Sequence, residues 1–556
     1  MAAWLFMILL GTVLAGCEKD DGEQALFKEV TAAVGFDDSP EVWPNGTYRI
    51  PELSPTGIGL FDFDNDGDLD IYQVCSPSPN RAADPAPNRL YAQQPNGKFV
   101  RVPKASGLDD PGYGNGVALG DVDNDGDLDV YVLNLGADAL YINNGDGTYQ
   151  NATQSAGIRG EQWSSCGAFF DYDRDGDLDL YVSHYVVDDP SRMCRIGLDE
   201  TRDYCGPAQY VPVRDTLYRN NGDGTFVDVT QSAGIVEARP GFGVLALDLT
   251  GDEWSDVYVA NDKAPNLFYV NQRNGTFVEQ ALVAGVAFNG MGKTEAGMGV
   301  SVGDVDGDSR LDLFLTHLGG ETNTLYRQSQ KLAAVSTFDD KSASSGLGGP
   351  SLASTGWGCG LADFDNDGDL DLAVVNGRIE RGTVLPGAAA GPFWNDYAQP
   401  NQVFQNQGAG KFVEVSQLAG TFATGVEASR GLAFGDLDRD GDVDLVVSNI
   451  GNSLRIFRND AAPKSQHWLR VRAVTGKRDA LGALVRIQAG PLRMVRPLIS
   501  AYSFQCANEP VAHFGLGAHK KVDLLEVVWP DGKVERFEST AVDRTVTLRQ
   551  GEGKTG

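Results

Sequence analysis

"DFDNDGDLD", residues 62–70, places five carboxylates in nine positions, with a glycine sixth in the run. Like charges this close repel, and folding crowds them further unless something positive stands among them. Hard divalent cations, calcium above all, take six to eight oxygens at about 2.3–2.6 Å, and carboxylates on alternate residues of a tight loop can converge on one ion. Glycine at the sixth position permits the sharp turn that this convergence needs. Asp62, Asp64, Asp66 and Asp70 are the expected side-chain ligands, and Asp68 is expected to offer its backbone carbonyl, with its own carboxylate left outside.

The pattern returns as "DVDNDGDLD" (Asp121, Asp123, Asp125, Asp127, Asp129), "DYDRDGDLD" (Asp171, Asp173, Asp175, Asp177, Asp179), a second "DFDNDGDLD" (Asp363, Asp365, Asp367, Asp369, Asp371) and "DLDRDGDVD" (Asp436, Asp438, Asp440, Asp442, Asp444). Two copies are degenerate. "DLTGDEWSD" offers Asp248, Thr250, Asp252 and Asp256, and "DVDGDSRLD" offers Asp304, Asp306, Asp308, Arg310 through its carbonyl, and Asp312. A solvated acidic loop would account for one copy; seven leave that reading little force. Together the seven loops hold 33 acidic side chains, against a formal net charge of −32 for all 556 residues. The acidity therefore lies in the loops and marks neither disorder nor a basic partner. Up to seven calcium sites are expected, five of them complete.

These are not EF-hands, which need a glutamate at the twelfth position and flanking helices. Here the twelfth positions hold Gln73, Val132, Val182, Val259, Leu315, Val374 and Val447. Each loop is followed by β-branched and aromatic runs such as "VYVLN" (130–134) and preceded by short apolar runs such as "GVALG" (116–120). Five residues ahead of the first Asp stands a glycine in six copies and Cys166 in the third. A second hairpin follows, as in "LYINNGDGTYQNATQSAG" (140–157), with Asn-Gly and Gly-rich turns between apolar runs. One repeat is thus strand, acidic loop, strand, connection, strand, turn, strand, and its first Asp recurs at intervals of 50 to 77 residues. Seven such units predict an all-β fold: a seven-bladed β-propeller over 26–463 with a small β-rich domain after it. The seventh repeat has a third strand at 453–460 but no fourth; the missing strand stands at the start, as "LFKEVTAAVG" (26–35). A blade built from both ends closes a ring and hides its edges.

The acidic loops resemble the FG-GAP/VCBS repeats, which are related to integrin α-chain propellers. The stretch 464–549 looks like the ASPIC/UnbV domain in "HWLRV" (467–471), "HFGLG" (513–517) and "VVWPDGKVE" (527–535). Together they resemble the bacterial cartilage acidic protein-like family, although "SAYSFQ" (500–505) departs from the glycine-richer version of that tract. The resemblance implies a secreted calcium-binding propeller and no known reaction.

Residues 1–17 read as a lipoprotein signal, with an apolar stretch too short to span a bilayer. "LAGC" (14–17) resembles a lipobox that would lipidate Cys17, and with Glu18 next it points to the bacterial outer membrane. An ordinary secretory signal would export the chain as well. Residues 18–25 are then a linker and 550–556 a tail. Cys194 and Cys205, in one loop of an exported chain, are a disulfide candidate; Cys75, Cys166, Cys359 and Cys506 read as buried small residues. His184 and His317 follow second strands of repeats and read as satisfied strand-end residues. No GxSxG, HExxH or phosphate-cradling loop is present. Residues 464–549 carry a net charge of +6 and residues 1–463 one of −38, so the last domain is suited to dock on the acidic propeller or to meet an anionic glycan. No nucleic-acid partner is expected.

Insertions lengthen the connection between second and third strands in repeats one, three and six. Tyr204, Tyr210 and Arg214 lie in one insertion, Trp394 and Tyr397 in another, and these are the candidates for a ligand-binding face. The expected function is binding of an extracellular or periplasmic protein or glycan at the cell envelope by a lipid-anchored scaffold. The alternatives are a carbohydrate-active lyase or dehydratase, and an envelope assembly component.

Overall fold

The computed structural model describes residues 25–36, 46–54, 57–76, 87–196, 201–329, 336–460 and 462–555. Cys17 and its lipobox lie outside these residues. Among the described residues, seven four-stranded antiparallel sheets are built from the repeats. In the second, Tyr113–Gly120 leads into an acidic loop, Asp129–Leu135 returns, and Ala139–Asn143 and Tyr149–Asn151 complete the sheet. The two leading strands are apolar on both faces because both faces are covered: Val130, Tyr131, Val132 and Leu133 are all buried. Fourth strands lie at the solvent edge of each sheet, and only their first residue is buried: Tyr149 is inside, Gln150 and Asn151 exposed. The first strand of each sheet touches the first strand of the next, and that of the seventh touches that of the first, so the sheets form a closed ring. Closeness at this inner circle explains the recurrent glycine. A Cβ on Gly57 would lie 2.7 Å from Gly116 Cα.

The seventh sheet draws on both ends of the chain. Phe27–Glu29 pairs antiparallel with Arg455–Asn459, placing Phe27 opposite Asn459 and Glu29 opposite Phe457. Phe27 is buried against Phe364 and Phe422, with ring centroids 5.2 and 5.4 Å away, so this strand is pinned by its side chain as well as its ladder.

Residues 467–555 form two further sheets. His467–Thr475 pairs with Ala512–Gly517 and, in parallel, with Arg544–Arg549. Leu484–Ala489 pairs with Leu492–Pro497 and Leu524–Val528. Their shared core includes Leu469, Val471, Val485, Phe514 and Trp529. Between the strands of this unit, Ser500–Asn508 leaves the sheets and enters the middle of the ring. Ala507 exchanges backbone hydrogen bonds with Ile58 and Leu60, and Ser503 with Val300. Ser500 Oγ donates to Leu119 O, Gln505 N to Cys166 Sγ, Cys359 N to Ser503 Oγ, and Phe434 N to Asn508 Oδ1. Those partners sit on the first strands of six of the seven sheets. Cys166, where the other repeats have glycine, turns its thiol to this tract. Among the described residues no helix is long and apolar enough to cross a membrane.

Deleting residues 26–35 would leave the seventh sheet three-stranded, with an unpaired edge. The deletion variant is expected to lose its single cooperative calorimetric transition and to aggregate in size-exclusion chromatography; a monomeric, cooperatively melting variant would contradict the closure.

Candidate metal centres

Each acidic loop is shaped by its own backbone. The first aspartate gathers the N–H groups of the turn: Asp121 accepts from Asp125 N at 3.1 Å and from Gly126 N at 2.8 Å, and Asp363 accepts from Asp367 N and Gly368 N in the same way. The ninth aspartate is buried in all seven loops. It accepts one N–H from the second residue of its loop and another from the end of the third strand. For Asp129 these are Val122 N and Asn143 N, both at 2.8 Å; for Asp444 they are Leu437 N at 2.9 Å and Asn459 N at 2.8 Å. Asp70, Asp179, Asp256, Asp312 and Asp371 repeat the arrangement.

Two loop positions take the left-handed conformation. In the second loop Asn124 has φ 60° and Gly126 φ 105°. The degenerate loops move the glycine: Gly251 and Gly307 stand at the fourth position, leaving Glu253 at φ 73° and Ser309 at φ 65° at the sixth. A residue with a Cβ is strained there.

The geometry suits a divalent cation. Ligand oxygens of Asp62, Asp64 and Asp66, of Asp121, Asp123 and Asp129, of Asp171, Asp173 and Asp179, of Asp304, Asp306 and Asp308, and of Asp363, Asp365 and Asp371 lie within 4.8 Å of one another inside each group. Asp306 Oδ1 and Asp436 Oδ1 are buried and accept no hydrogen bond, which a cation at these loops would remedy. In the degenerate loops arginine already supplies positive charge: Arg273 pairs with Asp252, Arg310 with Asp308 and Arg327 with Asp306.

The seventh position has a separate use. Asn65 donates to Asp127 Oδ1 at 2.6 Å, Asn124 to Asp177 Oδ1 at 2.7 Å and Asn366 to Asp442 Oδ1 at 2.6 Å, while Arg439 pairs with Asp68 and Arg174 reaches Glu253 O. The fourth residue of one loop thus holds the next loop, and the belt lapses where glycine fills that position. A second set of ties comes from third-strand ends: Asn220 Nδ2 donates to Val122 O and Asn406 Nδ2 to Val305 O, each in the preceding loop. Gln93 in the first sheet instead donates to Leu69 O of its own loop.

The basic last unit covers this face of the ring. Buried Arg478 donates to Asn124 Oδ1 (2.8 Å) and Gly176 O (2.9 Å), bridging the second and third loops. Arg496 donates to Gly368 O at 3.2 Å, in the sixth loop. Arg470 donates to Asp436 Oδ2 at 3.1 Å in the seventh and also pairs with Glu509. Burial lowers the pKa of Arg478 and Arg496, and nearby loop aspartates oppose that shift.

Without a cation, burial also sets the carboxylates. It pushes Asp312 up to about 7, Asp70 to about 8 and Asp371 to about 9, despite the backbone N–H groups that hold each of them down.

The structure corrects the expected ligand face. Tyr204, Trp394 and Tyr397 are buried and cluster with Leu53, Ala428 and Ile450. Tyr204 stacks on Trp394 with centroids 6.2 Å apart, and Tyr397 Oη donates to Asp203 Oδ1 at 2.8 Å. Tyr210 is half-buried against the core and only Arg214 is exposed. The insertions of the third and sixth sheets and residues 46–54 converge, so the aromatics join loop to loop and none of the three is offered to solvent. Tyr204 Oη also donates to Glu52, whose burial raises its carboxyl to about 7. Cys194 and Cys205 are bonded in the third-sheet insertion. Cys166, Cys359 and Cys506 are buried and Cys75 is half-buried. His184 Nε2 lies 3.0 Å from Thr216 Oγ1 and His317 Nε2 lies 3.1 Å from Thr324 Oγ1; burial lowers the pKa of both rings. The belt and the tract inside the ring were not foreseen. Asn or Arg at the fourth position of the five complete loops, against glycine in the other two, was the available signal for the belt.

Residues 62–132, 121–182, 248–315 and 390–468 match the FG-GAP-like repeat, and residues 473–555 match ASPIC and UnbV. Cartilage acidic protein 1 of Mus musculus is 30% identical over 322 residues, 55% of this chain and 44% of that protein. The Xenopus tropicalis protein is 25% identical over 515 residues, 89% of this chain and 73% of its own length. The chain thus spans less than half of the mouse relative. Among solved structures, an Agrocybe aegerita lectin specific for non-reducing terminal N-acetylglucosamine has a TM-score of 0.38 at 15% identity, covering 68% of this chain and 89% of its own. The V. cholerae biofilm matrix protein Bap1 has a TM-score of 0.30 at 12% identity, covering 90% and 76%. At such values the likeness carries no functional argument.

Replacing Glu253 by glycine should relieve the left-handed strain and raise unfolding free energy by about 1 kcal/mol in a denaturant titration; an unchanged or lowered midpoint would contradict it. The raised carboxylates set a pH dependence. A group whose folded pKa lies above its unfolded value of about 3.9 contributes stability at low pH that is lost as pH rises through the folded value. In chelator the melting temperature should therefore fall between about pH 5 and pH 9, and calcium should flatten the fall. A chelated protein that gains stability from pH 5 to pH 8 would refute this.

Proposed function

We propose that this chain, which carries FG-GAP-like repeats and an ASPIC/UnbV domain and is related to cartilage acidic protein 1, is a calcium-binding seven-bladed β-propeller. It is exported, anchored by lipid at Cys17 to the cell envelope, and works as a protein- or glycan-binding module. The observation that carries the reading is the one loop geometry repeated around the ring, with three or more carboxylates converging in a partly buried turn. In the first loop Asp62, Asp64, Asp66 and Asp70 would hold the ion with the Asp68 carbonyl; the corresponding positions serve in the other four complete loops. Calcium, when bound, supplies the charge that offsets carboxylate repulsion and desolvation. The loops' own residues do the rest: backbone N–H groups orient the first and ninth carboxylates, and the seventh carboxylate ties neighbouring loops. The two degenerate loops, paired with Arg273, Arg310 and Arg327, are the weaker sites.

Removal of calcium by EDTA should lower the melting temperature by many degrees at pH 7.5, as loss of a ligand bound only by the folded state requires. Asp66→Ala should weaken calcium binding in a calorimetric titration far more than Asp68→Ala, which loses only the Arg439 contact. An EDTA-insensitive melting curve would sink the calcium reading.

A further inference from the structure

The last unit does not lie flat on the whole ring. Its arginines descend onto the second, third, sixth and seventh loops, but at the seam between the seventh and first sheets the two bodies stand apart. They enclose a cleft of about 490 Å³, within the range of about 300–1,000 Å³ typical of ligand sites. One wall is the parallel strand pair His467–Thr475 and Arg544–Arg549, where Arg472 stands opposite Thr547 and Arg470 opposite Thr545. The other is the first acidic loop, in which Asp62 is half-buried and Asp64 and Asp66 are exposed.

The chemistry of the lining selects among ligands. Five carboxylates face the cleft, those of Asp62, Asp66, Asp436, Asp479 and Glu509, against three guanidiniums, those of Arg439, Arg470 and Arg472. Each guanidinium is already matched: Arg439 to Asp68, Arg470 to Asp436 and Glu509, Arg472 to Asp479. A sulfated or phosphorylated ligand would find no uncommitted guanidinium there. What remains open suits hydroxyl groups. The exposed hydroxyls of Thr545 and Thr547 can both donate and accept. Half-buried Trp468 adds an apolar surface. Its indole lies so close over Gly441 that a Cβ there would fall 1.9 Å from the ring, so its position is fixed.

We propose that this cleft is a binding site for a neutral oligosaccharide, read by Trp468, Thr545 and Thr547 beside the first loop. This deepens the binding-module reading above and rests on it. It also moves recognition from the buried aromatics of the long insertions to the face carrying the acidic loops.

The test uses the full chain and three neutral probes, maltotriose, cellotriose and mannotriose, with a heparin tetrasaccharide as polyanion. Binding is read by calorimetry and tryptophan fluorescence, in calcium and in EDTA. At least one neutral probe should bind and perturb the fluorescence. Thr547→Arg, at an exposed position, should weaken that binding at least tenfold while the calcium-dependent melting shift stays as in the unaltered protein. Trp468→Ala should abolish the fluorescence response. Absence of binding by all three neutral probes, binding undiminished in Thr547→Arg, or preference for the polyanion would overturn the assignment. If calcium fails to raise the melting temperature, the calcium reading falls; if it succeeds and the neutral probes still do not bind, only the cleft assignment falls.

Discussion

A buried carboxylate that accepts backbone N–H groups from two directions holds each sheet in shape. The ninth aspartate of every loop clamps the loop to the end of its third strand, and the first aspartate winds the turn about itself. The backbone N–H groups favour the charged carboxylate, yet burial opposes it more strongly. That conflict, repeated around the ring, makes the fold depend on whatever positive charge reaches the loops. Three sources are present or implied: a cation inside the loop, arginines within the degenerate repeats, and arginines lowered from the last unit. The regularity of the loops is thus electrostatic before it is architectural.

Much of this was legible in the chain. The Asp-x-Asp-x-Asp-Gly-Asp-x-Asp run carries its own meaning, because glycine and alternate carboxylates have few other uses in that order. Strand order followed from β-branched runs and Asn-Gly turns, and the displaced "LFKEVTAAVG" predicted the pairing of Phe27–Glu29 with Arg455–Asn459. Other features were not legible, for physical reasons. Tyr204 and Trp394 lie 190 residues apart, and nothing local distinguishes an aromatic aimed at solvent from one aimed at another loop. The path of Ser500–Asn508 depends on a cavity that exists only once seven sheets have closed, so no window of sequence contains it. The cleft beside Trp468 is a property of how two bodies fail to meet, which is further still from local pattern.

The two faces of the ring are finished differently. On one, insertions interlock through buried aromatics and the Glu52–Tyr204 hydrogen bond. On the other, a basic unit rests on acidic loops through guanidiniums that span neighbouring repeats. The first contact has an apolar centre with ion pairs such as Arg49–Asp188 beside it; the second is charged throughout, and partly buried, so salt screens it incompletely. A change of ionic conditions therefore reaches the two faces unequally.

Ser500–Asn508 has a consequence for how such a protein can change over time. By bonding to the first strands of six sheets it acts as an axle, and its side chains are fitted to that particular circle, Cys166 included. The repeats and the terminal unit are accordingly not interchangeable cargo. A recombination event that joined the ring of one lineage to the terminal unit of another would leave a hub misfitted to its wheel. Within this chain, a substitution in Ser500–Asn508 has to be met by the inner circle of the ring, and the reverse.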